Sequence, residues 1–271
     1  MFGRYNVKTN KKIYRLLGKR QRAINDVYAF GYNISNIVDS NQSIDNKLKL
    51  LEIWQGELEN IFEKKRPVSC FGQEMLSICQ YFNLRKSDFE KMLHNAYIEL
   101  TEPVKISDIQ NYEKYCDNST VPFCRQILKI MGCNNENDIN NLSIYMARAI
   151  KTTMILSNIS DDANKGKLYI PINCLKDAGI LSLNPKDVLI NNNLVKARAE
   201  LAKVAERNFS ETVGLIKKQD ESIARRLKSF IYTYKYYYNL MAKRGWEVIS
   251  PRPQINCWQQ IGVVCKAYIE K

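Results

Sequence analysis

Residues 145–171 read YMARAIKTTMILSNISDDANKGKLYIP, and this stretch decides the fold of the chain. Apolar residues recur at helical spacing from about Asp138 to Asn158, so the stretch predicts one long helix. The carboxylate pair Asp161-Asp162 comes at the end of that helix, and Gly166 to Pro171 follow as a glycine, a basic residue and a Tyr-x-Pro exit. The stretch therefore presents two carboxylates where a helix turns into a loop.

Two further stretches carry related patterns. Residues 19–39 read KRQRAINDVYAFGYNISNIVD and end on Ile37-Val38-Asp39, and residues 112–116 read YEKYC before a helical segment. In this order and spacing, the three stretches are similar to the motifs of the squalene and phytoene synthase family. That family writes the first as K-R-x-x-A-x-x-x-Y-A-F-C-R-x-x-D-D-I-V-D and the second as N-I-L-R-D-x-x-E-D-x-x-x-G-R-x-Y-L-P. Weaker similarity runs over nearly the whole chain.

Both aspartate-rich motifs depart from the family pattern in the same direction. In the first, the family's Asp-Asp is replaced by Ser35-Asn36 and its Arg by Tyr32. In the second, the family's first Asp is Asn158. Where the family's second motif has Asn and Arg, this chain has Met154 and Ser157. Each motif therefore keeps one carboxylate of an i, i+4 pair, Asp39 in the first and Asp162 in the second.

The fold class predicted from the sequence is all-α. The chain has 271 residues, no Pro-, Gly- or Ser-rich linker and no convincing alternating strand pattern, so we expect a single domain over residues 1–271. A sequence that resembles a capping box, Ser87-Asp88-Phe89-Glu90, predicts one further helix start. The resemblance implies an isoprenoid-synthase-type helical bundle around a central cavity, with Asp39 and Asp162 facing each other across it.

The resemblance also implies a chemistry, in which two prenyl diphosphates are joined head to head and magnesium holds the leaving diphosphate. Magnesium prefers carboxylate and phosphate oxygens, and here two of four expected carboxylates are neutral side chains. We therefore expect either no cofactor or magnesium bound weakly, through Asp39, Asp161 and Asp162, and only together with a diphosphate. The residual metal and diphosphate positions are Ser35, Asn36, Asp39, Asn158, Asp161 and Asp162.

The resemblance further implies a set of residues that line the substrate pocket. The same residues could instead be kept for structure, because tyrosines pack well and a glycine-containing turn needs its neighbours. The candidates are Tyr28, Tyr32, Tyr115, Met154, Lys165, Lys167 and Tyr169.

The formal net charge of +13 predicts an anionic partner. No recognition-helix pattern, RNA-binding aromatic motif or zinc-finger spacing supports nucleic acid. No apolar run approaches the roughly 18 residues of a membrane-spanning helix. We therefore expect a cytoplasmic or membrane-peripheral protein (in the mitochondrial matrix if eukaryotic), with a membrane surface or membrane complex as partner and a prenyl or lipid ligand.

Histidine and cysteine usage excludes other site types. The only histidine is His94, which leaves no imidazole base for a Ser-His-Asp or Cys-His scheme. The eight cysteines form no C-x-x-C pair, so we expect them to pack as small apolar side chains rather than bind zinc.

Two hypotheses of different class follow. In the first, the eroded motifs make a non-catalytic binding or assembly factor, similar to the branch of the family that assembles respiratory complex I. In the second, the chain is a magnesium-dependent prenyltransferase that condenses two prenyl diphosphates.

Overall fold

The computed structural model describes residues 18–102 and 104–255. Within these ranges the secondary structure is helical and contains no strand, which confirms the all-α class. One π-helical turn, Asn60–Lys64, follows the second helix. The α-helices are α1 Lys19–Asp39, α2 Ile44–Glu59, α3 Cys70–Phe82, α4 Lys86–Thr101, α5 Ile109–Met131, α6 Glu136–Asn164, α7 Ile172–Asp177, α8 Pro185–Leu189, α9 Leu194–Ile216 and α10 Glu221–Arg244.

The chain divides into two compact units. The first contains Met1–Pro103 and Pro122–Ile139, and the second contains Val104–Val121 and Asn140–Lys271. The first aspartate-rich motif therefore lies in the first unit and the second motif in the second unit. The expected single domain over residues 1–271 stays a prediction, as does the expected opposition of Asp39 and Asp162.

Aromatic packing forms the core of the first unit. The Phe30 side chain on α1 is fully buried. Its ring meets Trp54 of α2 edge-on at 5.3 Å between centroids and Phe89 of α4 at 5.1 Å. Burial of large aromatic side chains contributes most per residue to such a core. These contacts fix the face of α1 that turns inward, and with it the position of the first motif.

Polar contacts hold the beginning of α5 against α6 in the second unit. Arg148 on α6 donates from Nε to Asp117 Oδ1 at 2.8 Å and from Nη1 to Glu113 Oε2 at 2.9 Å. The buried Tyr112 hydroxyl donates to Thr152 Oγ1 at 3.0 Å. A fork of guanidinium donors on two carboxylates sets distance and orientation together. The YEKYC segment is thereby aligned along α6.

A glycine turn ends α6. Gly166 has φ of +73°, in the left-handed region that a side chain with a Cβ rarely adopts. Its N–H donates to Ala163 O at 3.0 Å, and the N–H of Lys167 donates to Asp162 O at 2.8 Å. These bonds satisfy carbonyls at the helix end. The chain then reverses and carries Tyr169 back along α6.

A buried arginine anchors the segment after α10. Arg198 on α9 is 1% exposed and donates to the carbonyls of Trp246, Val248 and Leu156. Burial lowers the pKa of Arg198 to about 10. Because these carbonyls come from α6 and from the segment after α10, one side chain ties both to α9.

The remaining sequence expectations concern cysteine, histidine and membrane segments. Cys79, Cys116, Cys124, Cys133 and Cys174 are buried as expected, whereas Cys70 is exposed. Cys257 and Cys265 lie outside the described residues. His94 is exposed on α4. In the part of the chain that the structure describes, no helix combines the length and apolarity that a membrane crossing needs.

Candidate functional site

The second motif occupies the last two turns of α6. Asn158 and Asp162 stand four residues apart on one helical face, as the sequence predicts. Asn158 is 9% exposed, and its Oδ1 accepts a hydrogen bond from the Ser157 hydroxyl at 3.2 Å. Asp162 is half-buried. The helix therefore presents one amide and one carboxylate where the family pattern has two carboxylates.

Asp161 faces outward and has a cationic partner. Its side chain is 56% exposed and forms an ion pair with Arg252. No sequence pattern pointed to Arg252, because the two residues are separated by 91 positions. The pairing reduces the charge that Asp161 offers to another cation.

Tyr115 and Tyr169 lie together beside this end of α6. Tyr115 comes from α5 and Tyr169 from the exit after Gly166, and their rings stack with centroids 5.5 Å apart and planes 23° from parallel. Both residues were predicted from separate motifs. The structure brings them into contact.

Lys151 lies against the two tyrosine rings and was missed by the sequence analysis. The residue is 4% exposed. Its Nζ lies 4.7 Å from the Tyr115 centroid and 5.5 Å from the Tyr169 centroid, within the range of a cation–π interaction. Its spacing of seven and eleven residues from Asn158 and Asp162 places it on the same helical face, which is the signal that could have found it.

Burial and three lysines control the ionisation of Asp162. Loss of solvent raises the pKa of Asp162 from its ordinary 3.8 to about 6, and the ammonium groups of Lys151, Lys167 and Lys165 act against this rise. Desolvation disfavours a carboxylate, whereas nearby cations favour it. The carboxylate is thus set in a locally positive environment.

A small apolar pocket opens next to Asp162. Of the predicted residues, Asp162, Lys167 and Tyr169 line it, and the apolar part of the wall comes from α6 and α8. The apolar lining includes Ile155, Ile159, Val188 and Leu189. The arrangement places the charged side chains of Asp162 and Lys167 beside apolar side chains.

Two further predicted residues are Met154 on α6 and Lys165 directly after it. Met154 is half-buried, and its carbonyl accepts a hydrogen bond from Ser157 Oγ at 2.9 Å. Lys165 is exposed in the turn before Gly166. Assignment of Met154 and Lys165 to a substrate pocket stays a prediction.

The first motif lies along α1 in the first unit. Tyr28 is 9% exposed and meets Phe123 edge-on at 4.9 Å. Tyr32, Ser35 and Asp39 are half-buried, and Asn36 is exposed. Tyr28 packs against Phe123, and the functional assignment of Tyr28, Tyr32, Ser35, Asn36 and Asp39 stays a prediction.

The donor set of the second motif does not fit a magnesium cluster. A hard divalent cation needs anionic oxygens, yet the positive charges of Lys151, Lys167 and Lys165 act on Asp162, and Asp161 is paired with Arg252. Asn158 contributes only a neutral amide oxygen. Among residues 18–102 and 104–255, no three His, Cys, Asp or Glu side chains are grouped to hold a metal ion.

Comparison with known proteins gives one consistent result. The family model of squalene/phytoene synthase matches residues 13–259. A presqualene diphosphate synthase of Sinorhizobium fredii is 26% identical over 236 residues, covering 87% of this chain and 83% of that protein. One from Rhodopseudomonas palustris is 27% identical over 229 residues, covering 84% and 80%.

Solved structures share the fold. A dehydrosqualene synthase in complex with a ligand superposes with a TM-score of 0.80 at 19% identity, covering 97% of this chain and 92% of that one. A squalene synthase from Alicyclobacillus acidocaldarius gives a TM-score of 0.74 at 18% identity, covering 90% and 92%.

Proposed function

The chain belongs to the squalene/phytoene synthase family, and from this premise we propose that it is a prenyltransferase that condenses two prenyl diphosphates head to head. The observation that carries the proposal is the convergence of Tyr115 from the YEKYC stretch with Asp162 and Tyr169 from the second aspartate-rich motif, beside lysines and apolar side chains. The names of the relatives, presqualene diphosphate synthase, support the same substrate class.

The proposed reaction begins with cleavage of the bond between carbon and diphosphate oxygen in one prenyl diphosphate. The electron pair leaves with the diphosphate, and an allylic cation remains. The double bond of the second prenyl diphosphate adds to this cation, and one proton is lost as a cyclopropane ring closes. The products are a cyclopropyl prenyl diphosphate, free diphosphate and a proton.

The residues of the second unit fit the requirements of this step. Lys167 lines the pocket, and its ammonium charge stabilises the negative charge that grows on the leaving diphosphate. Ile155 and Ile159 line the same pocket and keep water from the cation. The leaving group is therefore held beside Lys167 and the cation beside the apolar side chains.

An assay of diphosphate release and of extracted lipid product, with farnesyl or geranylgeranyl diphosphate, tests the proposal. We expect product from the wild-type protein and a loss on the order of a hundredfold in Lys167→Met, as for removal of one electrostatic contact to a developing charge. Lys203→Met is the matched control, because Lys203 is 71% exposed and pairs with Glu200 on α9. The proposal is refuted if neither farnesyl diphosphate nor geranylgeranyl diphosphate yields free diphosphate and a lipid product.

A second candidate function is favoured by the loss of carboxylates at Ser35, Asn36 and Asn158. A non-catalytic protein of this fold would bind a prenyl or lipid ligand, or a membrane complex as its assembly factor, without releasing diphosphate. Saturable binding of farnesyl diphosphate with no product would select this candidate. Restoring the carboxylates as Ser35→Asp, Asn36→Asp and Asn158→Asp, together with Tyr32→Arg, would then be expected to create activity.

A further inference from the structure

A buried lysine lies against the stacked tyrosines of the candidate site. Lys151 is 4% exposed, and its ammonium group lies against the faces of Tyr115 and Tyr169. Burying an ammonium group is costly unless nearby groups compensate it. The tyrosine faces supply part of that compensation, since the face of an aromatic ring carries negative charge density.

The carboxylate of Asp162 supplies a further part of the compensation for the buried Lys151 ammonium group. Lys151 and Asp162 interact electrostatically, and both belong to the same face of α6. Asp162 is also influenced by Lys167 and Lys165. The charges of three lysines thus act on one carboxylate, while Asp161 is ion-paired with Arg252.

This charge arrangement differs from one built for divalent metal ions. A site with an excess of carboxylates binds a diphosphate only after cations have bound, because the bare site repels it. A site with an excess of ammonium groups attracts a diphosphate directly. The same lysines repel a divalent cation from Asp162.

We propose that Lys151 is the resident cation of the diphosphate site, so that its ammonium group takes over the charge role of a divalent metal and a diphosphate group binds without magnesium. The identity of the anion rests on the proposed function. Lys165 and Lys167 are more exposed than Lys151 and provide the part of the site that a ligand meets first. Lys151 provides a positive charge that is more deeply buried than theirs.

Calorimetric titration with inorganic pyrophosphate in EDTA tests the proposal without requiring turnover. We expect the wild-type protein to bind pyrophosphate in EDTA and Lys151→Met to bind it on the order of tenfold more weakly, as for loss of one charged contact. Lys151→Arg keeps the charge and is expected to lose less. Lys203→Met is expected to bind as the wild type does.

A second variant covers the case in which Lys151→Met fails to fold because Asp162 loses part of its compensating charge. Lys151→Met/Asp162→Asn removes both charges and is expected to fold and to bind pyrophosphate more weakly than Asp162→Asn alone. Wild-type binding that appears only after magnesium is added, or equal affinity of these variants with and without Lys151, would overturn the proposal. A protein that binds pyrophosphate in EDTA but makes no prenyl product would contradict only the proposed function.

Discussion

Asp162 is the residue at which the second motif differs most in chemistry from what its sequence implies. The motif resemblance makes it a ligand of magnesium, whereas its surroundings are an apolar wall and three lysines. Burial outweighs the lysine charges, because the pKa of Asp162 stays above its ordinary value.

The raised pKa of Asp162 leads to a prediction about stability and pH. The folded-state pKa of about 6 lies above the ordinary 3.8, so the folded protein holds the proton more tightly than the unfolded chain does. The contribution of Asp162 to the free energy of unfolding is therefore highest at acid pH and decreases as pH rises through 6. As pH rises from 3.8 to about 6, we expect the melting temperature of Asp162→Asn to increase relative to that of the wild type. Above this pH range, the difference in melting temperature is expected to stay constant.

Thermal unfolding followed from acid to neutral pH measures this effect. Asp177→Asn, at the exposed end of α7, is the control. A difference between Asp162→Asn and wild type that does not change with pH would show that the carboxylate is not held in its protonated form by the fold.

Arg148 provides a second prediction at the residue scale. Its guanidinium group contacts Asp117 and Glu113, and the three side chains are 19%, 26% and 18% exposed. We expect Arg148→Ala to lower the free energy of unfolding by about 2 kcal/mol, because it removes both guanidinium contacts of Asp117 and leaves Glu113 with Arg207, an exposed partner. Urea denaturation measures the loss. Lys203→Ala, which removes an exposed pair, is expected to change stability by less than about 1 kcal/mol.

The helices could be predicted largely from periodicity and from residues that stop a helix. The sequence places helices from Asn191 to Lys218 and from Asp220 to Arg244, and the structure has them at Leu194–Ile216 and Glu221–Arg244. Long amphipathic segments bury a continuous stripe, which makes their pattern strong. The all-α class follows from this alone.

Helix starts were less predictable, because tertiary contacts compete with local capping. The Ser87 to Glu90 sequence suggests a capping box with Ser87 as the N-cap, yet the N-cap of α4 is Arg85, two residues earlier, and it makes no side-chain cap bond. Asp88 is instead buried, with its Oδ1 3.4 Å from Arg125 Nε. Local sequence has no information about Arg125, so the pattern predicted the helix and not its first turn.

The site was predictable only where motif residues are involved. Asp162, Tyr169 and Tyr115 follow from the resemblance, whereas Lys151 and Arg252 do not. A lysine is seldom buried, so sequence reasoning assigns it to the surface by default. Its partners come from α5 and from the exit after Gly166, and their proximity is a property of the fold.

The glycine that ends α6 gives a prediction at the scale of elements. Gly166 has φ of +73° and open space around the position of a Cβ, so Gly166→Ala introduces backbone strain without a clash. We expect it to cost about 1 kcal/mol of unfolding free energy. Gly56, inside α2, also has open space, and Gly56→Ala is expected to stabilise by up to about 1 kcal/mol. Urea denaturation measures both changes in unfolding free energy. Changes of opposite sign confirm that the backbone needs glycine at Gly166 and not at Gly56, and changes of equal sign contradict it.

The net charge of +13 acts at the scale of the whole molecule. A basic protein is attracted to anionic lipid headgroups, and this attraction weakens as salt shortens the Debye length from about 10 Å at 0.1 M to about 3 Å at 1 M. We expect cosedimentation with phosphatidylglycerol vesicles at low salt, and release at high salt. Phosphatidylcholine vesicles are the control. Equal binding to both lipids would argue against a charge-driven membrane partner.

The central claim is that the chain joins two prenyl diphosphates, and a crossover labelling experiment tests it most directly. The wild-type protein is incubated with an equal mixture of deuterated and unlabelled farnesyl diphosphate, and extracted products are analysed by mass spectrometry. Head-to-head condensation predicts a product that contains one labelled and one unlabelled prenyl group. This product is accompanied by one form with two labelled groups and one form with two unlabelled groups. Only single prenyl groups released as alcohols, or no product at all, would contradict the claim.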